Sequence, residues 1–225
     1  MQNFNIVKNS NIDVTYRVSK IMNDFDVNPK HTKETFTGNI KYPDNWKIGV
    51  IVGGSGTGKT TIAKELYGDR IIDNFKYTAK SVIDDMPSND VNEITKMFYT
   101  VGFGSVPSWL KPFNVLSQGE QMRVNLARKL LQDDFVVFDE FTSVVDRQVA
   151  KTMCMALNKS INRLERKQFV AITPHYDVLE YLQPDWVFDT NTMKQDFQFA
   201  HVKQKNLRFE SVTETSGLNL ASIII

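Results

Sequence analysis

The sequence predicts an α/β fold with a mainly parallel central sheet, because three short apolar runs alternate with polar or helical segments. These runs are rich in β-branched or aromatic residues, as expected of strands buried on both faces, and they span 48–52, 135–138 and 169–172. Another strand is predicted to begin at 187–188, after a Pro-Asp break. The 225 residues are 41% hydrophobic and 24% charged, which is typical of a globular protein with one large or two small domains.

Two further parts flank the predicted sheet. Residues 1–47 mix short β-like pieces with polar turns and are predicted to form a small antiparallel β-layer. The stretch 88–131 is predicted to hold a helix capped by Ser88, then a Gly/Pro-rich loop over 102–112 and a second helix over 119–131. The first of these helices is expected to bury one face, which carries Val91, Ile94, Met97 and Phe98.

Charge and cysteine content exclude several classes of protein. The 27 basic and 26 acidic residues give a net charge of +1, so no overall charge attracts nucleic acid or anionic lipid, although a local patch is still allowed. Cys154 is the single cysteine, which excludes an internal disulfide or a cysteine-rich zinc site. Because no apolar stretch approaches the roughly 18 to 20 residues of a membrane span, and the N-terminus lacks the features of a secretory signal, we expect a cytoplasmic protein without membrane insertion.

A glycine-rich segment follows the first apolar run and matches the pattern G-x-x-x-x-G-K-[ST] in full. Such a loop, together with the start of the next helix, directs backbone N–H groups at phosphate oxygens. Lys59 is expected to reach the β- and γ-phosphates, and the Thr60 hydroxyl to ligate Mg²⁺. The motif predicts nucleotide binding without distinguishing a kinase, a GTPase or a mechanical ATPase. The predicted nucleotide contacts of this cradle are Gly53, Gly54, Ser55, Gly56, Thr57, Gly58, Lys59, Thr60 and Thr61.

Two acidic residues end the second apolar run. Asp139 stands at the C-terminal end of the predicted strand, where its carboxylate can hold Mg²⁺ opposite Thr60. Glu140 follows directly and is in position to accept a proton from an attacking water. An acidic loop after a core strand is the structural alternative, and the phosphate cradle earlier in the chain argues against it.

The segment between the loop and the second run begins at Leu116 and has the letters LSQGEQMR. It resembles the LSGGQ-type signature of ABC ATPases, with Gln118 in place of the usual first glycine. Two later features follow in the family's order. The segment 143–146 looks like the family's D-loop, and His175, just past the third apolar run, matches the switch histidine.

This resemblance implies a fold, an activity and a set of contacts. It implies a P-loop NTPase of the ABC type that binds ATP and Mg²⁺, with Ser117 and Gly119 of one subunit closing over the γ-phosphate held by the other. Glu140 would polarise water, His175 would hold the γ-phosphate, and Asp146 would lie in the D-loop beside the nucleotide. Two such sites imply a head-to-tail homodimer in the ATP state.

A narrower resemblance extends from about residue 24 to residue 210. It looks like a soluble bacterial and phage group of ABC-type ATPases, some of which carry an acetyltransferase (GNAT-type) domain; the chain ends soon afterward, so no such domain is expected. The motifs that carry it include VGF at 101–103, PSWL at 107–110, DEFTSVVDR at 139–147 and HYD at 175–177.

The resemblance divides a single ABC-type domain, 1–225, into parts. We expect a β-layer at 1–47, a nucleotide-binding core at 48–80 and 132–210, a helical subdomain with the signature at 81–131, and a tail at 211–225. The apolar end of the tail, 221–225, suits a sheet edge, a partner or an end strand of the domain equally.

The region between the cradle and the signature departs from the family pattern. Residues 61–116 contain no glutamine, whereas ABC ATPases usually place one there beside the metal and the attacking water. Asp84 or Asp85 is a candidate for that position, and a polar turn explains both residues equally well. The interval from Thr60 to Ser117 is also short for a transporter subunit, which argues against a transport role.

The aromatic residue that stacks on adenine is not defined by a motif. Phe25, Phe36 and Trp46 all precede the cradle, and each also suits the hydrophobic core. We favour Phe25.

These observations predict a soluble ABC-type ATPase that acts as a nucleotide-gated switch. The alternatives are a transporter's nucleotide-binding subunit and a non-hydrolysing ATP sensor in a phage or defence system. The sequence leaves open whether a protein or a nucleic acid is the downstream partner. The basic run formed by Arg163, Arg166 and Lys167 is typical of a solvated helix face, with nucleic-acid binding as the alternative.

Overall fold

The computed structural model describes residues 1–9, 13–26, 33–71, 75–164 and 167–197. The predicted tail and Arg166 therefore lie outside the described residues. In chain order the strands and α-helices are β1 (Gln2–Asn9), α1 (Tyr16–Asp24), β2 (Lys33–Ile40), β3 (Ile48–Val52), α2 (Lys59–Tyr67), α3 (Val91–Thr100), α4 (Val106–Trp109), α5 (Gln118–Gln132), β4 (Phe135–Phe138), α6 (Arg147–Arg163), β5 (Gln168–Thr173), α7 (Val178–Leu182), β6 (Trp186–Asp189) and β7 (Lys194–Asp196).

A mainly parallel sheet forms the centre of the described structure. Its strand order is β4-β5-β3-β6-β7, in which the first four strands run parallel and β7 is antiparallel to β6. The three predicted apolar strands and the one predicted near residue 187 are confirmed, and the third run extends by one residue at each end. The predicted α/β class is therefore confirmed.

Both faces of the sheet are covered, which explains why its strands are apolar without alternation. In β3 every residue is buried. Val50 and Val52 point into a core shared with α3, α5 and α6, whereas Ile51 points into a second core shared with α2 and the β1–β2 layer. Cys154 is fully buried in the first core, so the single cysteine contributes to packing.

The predicted β-layer is present, and it contains a helix that the sequence did not predict. Strands β1 and β2 pair antiparallel, from Gln2 opposite Ile40 to Asn9 opposite Lys33. Between them lies α1, whose N-terminus is capped by the Thr15 hydroxyl. None of the residues of α1 is buried. Its apolar residues nevertheless recur on one face, so the sequence carried a helical pattern that was not used.

The helical region confirms the expected helices but corrects the start of the first one. Asp90, not Ser88, caps α3, because its carboxylate accepts the Asn92 N–H at 2.8 Å. Ser88 instead donates to Glu93. Val91, expected on the buried face, lies in the first turn and is 58% exposed, whereas the other three residues of that face are buried. The predicted loop also contains the short α4, which carries a proline in its first turn. In the described ranges no helix is both long and apolar enough to span a membrane.

One position in the sheet tests this packing. Gly49 lies opposite Trp186 in the pairing of β3 with β6, and a Cβ at residue 49 would come within 2.1 Å of the indole ring. We expect Gly49→Ala to lower the free energy of unfolding by about 1–3 kcal/mol, because the fully buried indole must move. Urea denaturation measures the change.

Gly104→Ala is the matched control. The nearest atom to a Cβ there would be Cε1 of Tyr99 at 3.8 Å, which is ordinary contact. This control is expected to change stability by less than about 0.5 kcal/mol. Equal stability of the two variants would contradict the packing of Trp186 over Gly49.

Candidate functional site

The phosphate cradle is a tight loop between the buried strand β3 and helix α2. Gly56 and Gly58 adopt left-handed φ angles of 79° and 87°. At Gly58 a second constraint applies, since a Cβ would come within 2.5 Å of the Phe36 ring. The loop therefore requires glycine at residue 58 for both its backbone angle and its close contact with the β-layer.

Lys59 points into this loop. Its side chain is buried, and its Nζ donates to the Gly54 carbonyl at 2.7 Å. The loop and the first turn of α2 line a cleft of about 170 Å³, together with Phe36 and Glu140. The predicted cradle residues in its wall are Ser55, Gly56, Gly58, Lys59, Thr60 and Thr61. Backbone N–H groups and a helix N-terminus at such a cleft suit a bound phosphate.

The acid pair reaches the same edge of the sheet. Asp139 follows β4, and its Oδ1 accepts the backbone N–H of Glu140 at 2.9 Å. Glu140 has a left-handed φ of 52° and lines the cradle cleft. Its carboxylate also accepts a hydrogen bond from the Ser143 hydroxyl, which holds the side chain in place. The structure thus brings Glu140 to the cradle.

The donors near the cradle fit a magnesium ion that is shared with phosphate. Within the described ranges, no three His, Cys, Asp or Glu side chains gather in the manner of a protein-only metal site. Mg²⁺ usually takes one or two protein oxygens and completes its shell with phosphate oxygens and water. The Thr60 hydroxyl and the Asp139 carboxylate are suitable donors for such a shell.

His175 stands just beyond the end of β5. Its backbone N–H donates to Thr173 Oγ1 at 3.2 Å. Partial burial, with a smaller contribution from the positive charge of Arg147, lowers the pKa of the imidazole, while Asp177 and Glu140 act in the opposite direction. The ring is therefore mainly neutral near pH 7 and can donate one hydrogen bond. His175 and Glu140 follow β5 and β4, which pair in parallel, so both residues lie at the same edge of the sheet.

Arg147 was not singled out in the sequence, yet it connects three segments around His175. It forms a two-pronged ion pair with Asp177, in which Nη2 lies 2.6 Å from Oδ1 and Nε lies 3.0 Å from Oδ2. Its Nη1 also donates to the Thr142 hydroxyl at 3.4 Å. The planar guanidinium therefore ties the start of α6 to the turn after Glu140 and to the loop that carries His175.

A second network that the sequence did not predict joins the cradle to this loop. The Gly54 N–H donates to Asn191 Oδ1 at 3.2 Å, and the Asn191 side-chain amide donates to the Tyr176 hydroxyl at 2.7 Å. The same hydroxyl donates to Asp189 at 3.0 Å. Since Tyr176 follows His175 directly, the turn after β6 holds the cradle and the histidine loop in a fixed relation.

The predicted signature starts α5 on an exposed surface. Ser117 caps the helix in a reciprocal pair with Glu120, whose carboxylate accepts the Ser117 N–H at 3.0 Å. A Cβ at Gly119 would lie 2.9 Å from Val145, so glycine permits α5 to begin against the predicted D-loop. Asp146 caps α6, where its Oδ1 accepts the N–H groups of the second and third helical residues. The walls of the cradle cleft come from other residues in the described part of the chain.

The three candidate adenine partners lie in different environments. Phe25 follows α1 and is 70% exposed, so the alternative that it is a core residue does not hold. Phe36 is buried and its ring covers Gly58. Trp46 packs among Tyr42 and Trp186.

The two aspartates proposed in place of the missing glutamine stabilise a turn. Asp85 accepts the N–H groups of Thr78 and Ala79 at 3.1 and 3.0 Å. Asp84 accepts the hydroxyl of Ser81. This geometry fits the polar-turn alternative for both residues.

Comparison with solved structures identifies the fold. No family model and no curated protein sequence matches the chain. The dimeric ATP-binding cassette MJ0796 in a post-hydrolysis state with ADP and Pi matches with a TM-score of 0.54 and 15% identity, over 69% of this chain and 87% of that one. The chain has the fold of an ATP-binding cassette.

Two other matches agree with this fold. A second dimeric structure of MJ0796, described as a bacterial ABC transporter cassette, has a TM-score of 0.53 and 15% identity over 82% of this chain and 94% of that one. A bacterial Atm1-family ABC exporter with ATP bound has a TM-score of 0.52 and 14% identity over 84% of this chain and 39% of its own.

The charges around His175 predict opposite effects of two substitutions. Arg147→Gln removes a positive charge that lowers the pKa of His175, so that pKa is expected to rise. Asp177→Asn removes a negative charge that raises it, so the pKa is expected to fall. An NMR titration of the imidazole C–H protons, assigned with His175→Gln, measures both changes. Shifts in the same direction would contradict the arrangement of these three residues.

Proposed function

We propose that this chain is a soluble ABC-type ATPase that binds and hydrolyses Mg-ATP at a head-to-tail homodimer interface and acts as a nucleotide-gated switch. The observation that carries the proposal is the position of Glu140 in the cleft formed by the phosphate cradle. The exposed signature at the start of α5 adds to it. Ser117 is exposed and does not line that cleft in its own chain, which supports closure of the site by a second subunit.

Nucleotide binding in this proposal begins with the cradle. Lys59 Nζ would exchange its hydrogen bond to the Gly54 carbonyl for contacts with the β- and γ-phosphates. The N–H groups of the loop and of α2 would surround these phosphates. Phe25 stays the proposed adenine contact, because its exposed ring has a free face whereas Phe36 is buried against Gly58.

The metal ion and the reacting groups follow from the acid pair and His175. Thr60 and Asp139 would hold Mg²⁺, which neutralises charge on the phosphates when it is bound. Glu140 would orient the attacking water and accept its proton, with the Ser143 hydroxyl fixing the carboxylate. The neutral imidazole of His175 would donate a hydrogen bond to the γ-phosphate and so detect its loss.

Closure of the site requires two copies of the chain. Ser117 and Gly119 of one subunit would contact the γ-phosphate held by the other, and Asp146 would lie at the same interface in the D-loop. The two-fold arrangement forms two equivalent sites. Release of phosphate would weaken the dimer, because the γ-phosphate is then no longer contacted from both sides.

Two alternatives rest on specific observations. A transporter subunit is favoured by the likeness to transporter cassettes, and it predicts co-purification with a membrane protein. A non-hydrolysing ATP sensor is favoured by the lack of a glutamine between the cradle and the signature and by the use of Asp84 and Asp85 in a turn. Two observations support the switch: the interval before the signature is short, and the chain resembles the soluble bacterial and phage group. We also propose that the protein is cytoplasmic.

Mixing two inactive variants tests the shared site. Lys59→Ala removes the cradle's cation. Ser117→Asp keeps a residue able to cap α5 but sets a negative charge against the γ-phosphate. We expect each variant alone to hydrolyse no ATP. Their mixture should recover up to about a quarter of the wild-type rate, since half of the dimers hold one intact site of two.

The control mixes Lys59→Ala with the double variant that carries both changes, which contains no intact site in any pairing. Thermal unfolding checks that all variants fold. Lack of recovery in the first mixture, with wild-type activity established, would contradict a site built from two subunits. Lack of any wild-type turnover despite ATP binding would favour the sensor.

A further inference from the structure

A second cavity lies between α3, α5 and α6, apart from the cradle. Its volume is about 330 Å³, roughly twice that of the cradle cleft. Its apolar wall comes from Met97 on α3, Leu130 and Leu131 on α5, and Leu164 after α6. A cavity of this size is in the lower range of sites that bind small organic molecules.

The lining of this cavity carries more basic than acidic side chains. Lys96, Arg163 and Lys167 line it, against one acidic residue, Glu93. Lys167 is already occupied, because its Nζ contacts Asp134 at 3.0 Å and the Asp133 carbonyl at 2.9 Å. Lys96 and Arg163 form no ion pair with any residue in the described ranges. Within that part of the chain, these two cations have no carboxylate partner that would compete with a bound anion.

A small inorganic anion would contact only the polar part of this lining. The Thr100 hydroxyl is used within its own helix, where it donates to the Lys96 carbonyl at 2.9 Å. Ser160 contributes the other hydroxyl of the lining. Because phosphate and sulfate are small and fully polar, either ion would leave the apolar wall without a contact. A ligand with one anionic end and an apolar body satisfies both parts of the cavity.

The position of the cavity connects it with the proposed dimer surface. Helix α5 starts at the signature, next to Ser117, and α6 starts at the D-loop residue Asp146. Both helices end at the cavity, about 20–25 Å away along their axes. A ligand bound between α3 and the C-terminal ends of α5 and α6 would contact both helices whose N-terminal ends form the proposed dimer surface.

We propose that this cavity binds a small amphipathic carboxylate, with an apolar body of about seven to twelve non-hydrogen atoms. The carboxylate would lie between Lys96 and Arg163, and the body would pack on Met97 and Leu130. The effect on dimer closure rests on the proposed function, whereas the binding itself does not.

Calorimetry with octanoate tests the binding site in the full chain. We expect octanoate to bind saturably and more tightly than octanol, which has a similar apolar body without the charge. Lys96→Gln and Arg163→Gln should each weaken octanoate binding by about tenfold, because each removes a charge-assisted contact. Lys159→Gln is the matched control, since this exposed lysine of α6 does not line the cavity, and it should leave the affinity unchanged.

The outcomes separate the two parts of the proposal. Lack of saturable octanoate binding, equal affinity for octanol, or equal affinity in the two glutamine variants and wild type would overturn the site.

Light scattering with Mg-ATP then compares the dimer fraction with and without octanoate. Octanoate should change this fraction in wild type and not in Arg163→Gln. If octanoate binds without changing the dimer fraction, in a chain that does dimerise with ATP, the proposed effect of the cavity on dimer closure would be overturned. A chain that never dimerises would contradict the proposed function alone.

Discussion

Parallel pairing of three neighbouring strands is the constraint on which the candidate site depends. In the register of β3 with β5, Val52 lies opposite Thr173, and in that of β4 with β5, Phe138 lies opposite Ala171. The C-terminal ends of all three strands therefore meet at one edge of the sheet. This edge collects the cradle, the acid pair and His175, which are far apart in the sequence. A slip of any strand by one residue would turn its buried side chains to the wrong core.

The parts of the structure with a local signal could be predicted from the sequence. Short apolar runs predict the buried strands, and the glycine-rich motif predicts the tight loop of the cradle. The cap of α3 was misassigned because Ser88 and Asp90 are both good capping residues, and the choice depends on where the buried face begins. The roles of Arg147, Tyr176 and Asn191 could not be predicted, because they come from contacts between segments that meet only in the fold.

These unpredicted contacts explain how the loops around the cleft are held. An exposed ion pair usually adds little stability, but the forked contact of Arg147 with Asp177 fixes orientation as well as charge. The network from Gly54 through Asn191 to Tyr176 connects the cradle with the loop of His175. These contacts would pass a change at the proposed γ-phosphate position to both loops. Helices α5 and α6 start at the predicted signature and D-loop, and both reach the second cavity.

The most direct test of the nucleotide-gated switch is the mass of Glu140→Gln in solution. Size exclusion with light scattering would compare this variant with wild type, with and without Mg-ATP. Glutamine keeps an acceptor for Ser143 but cannot take a proton from water, so ATP binds and persists. We predict that the mass of the variant doubles only when Mg-ATP is present, and that wild type forms a weaker or transient dimer. A mass that does not respond to ATP in either protein, despite measured nucleotide binding, would contradict the switch.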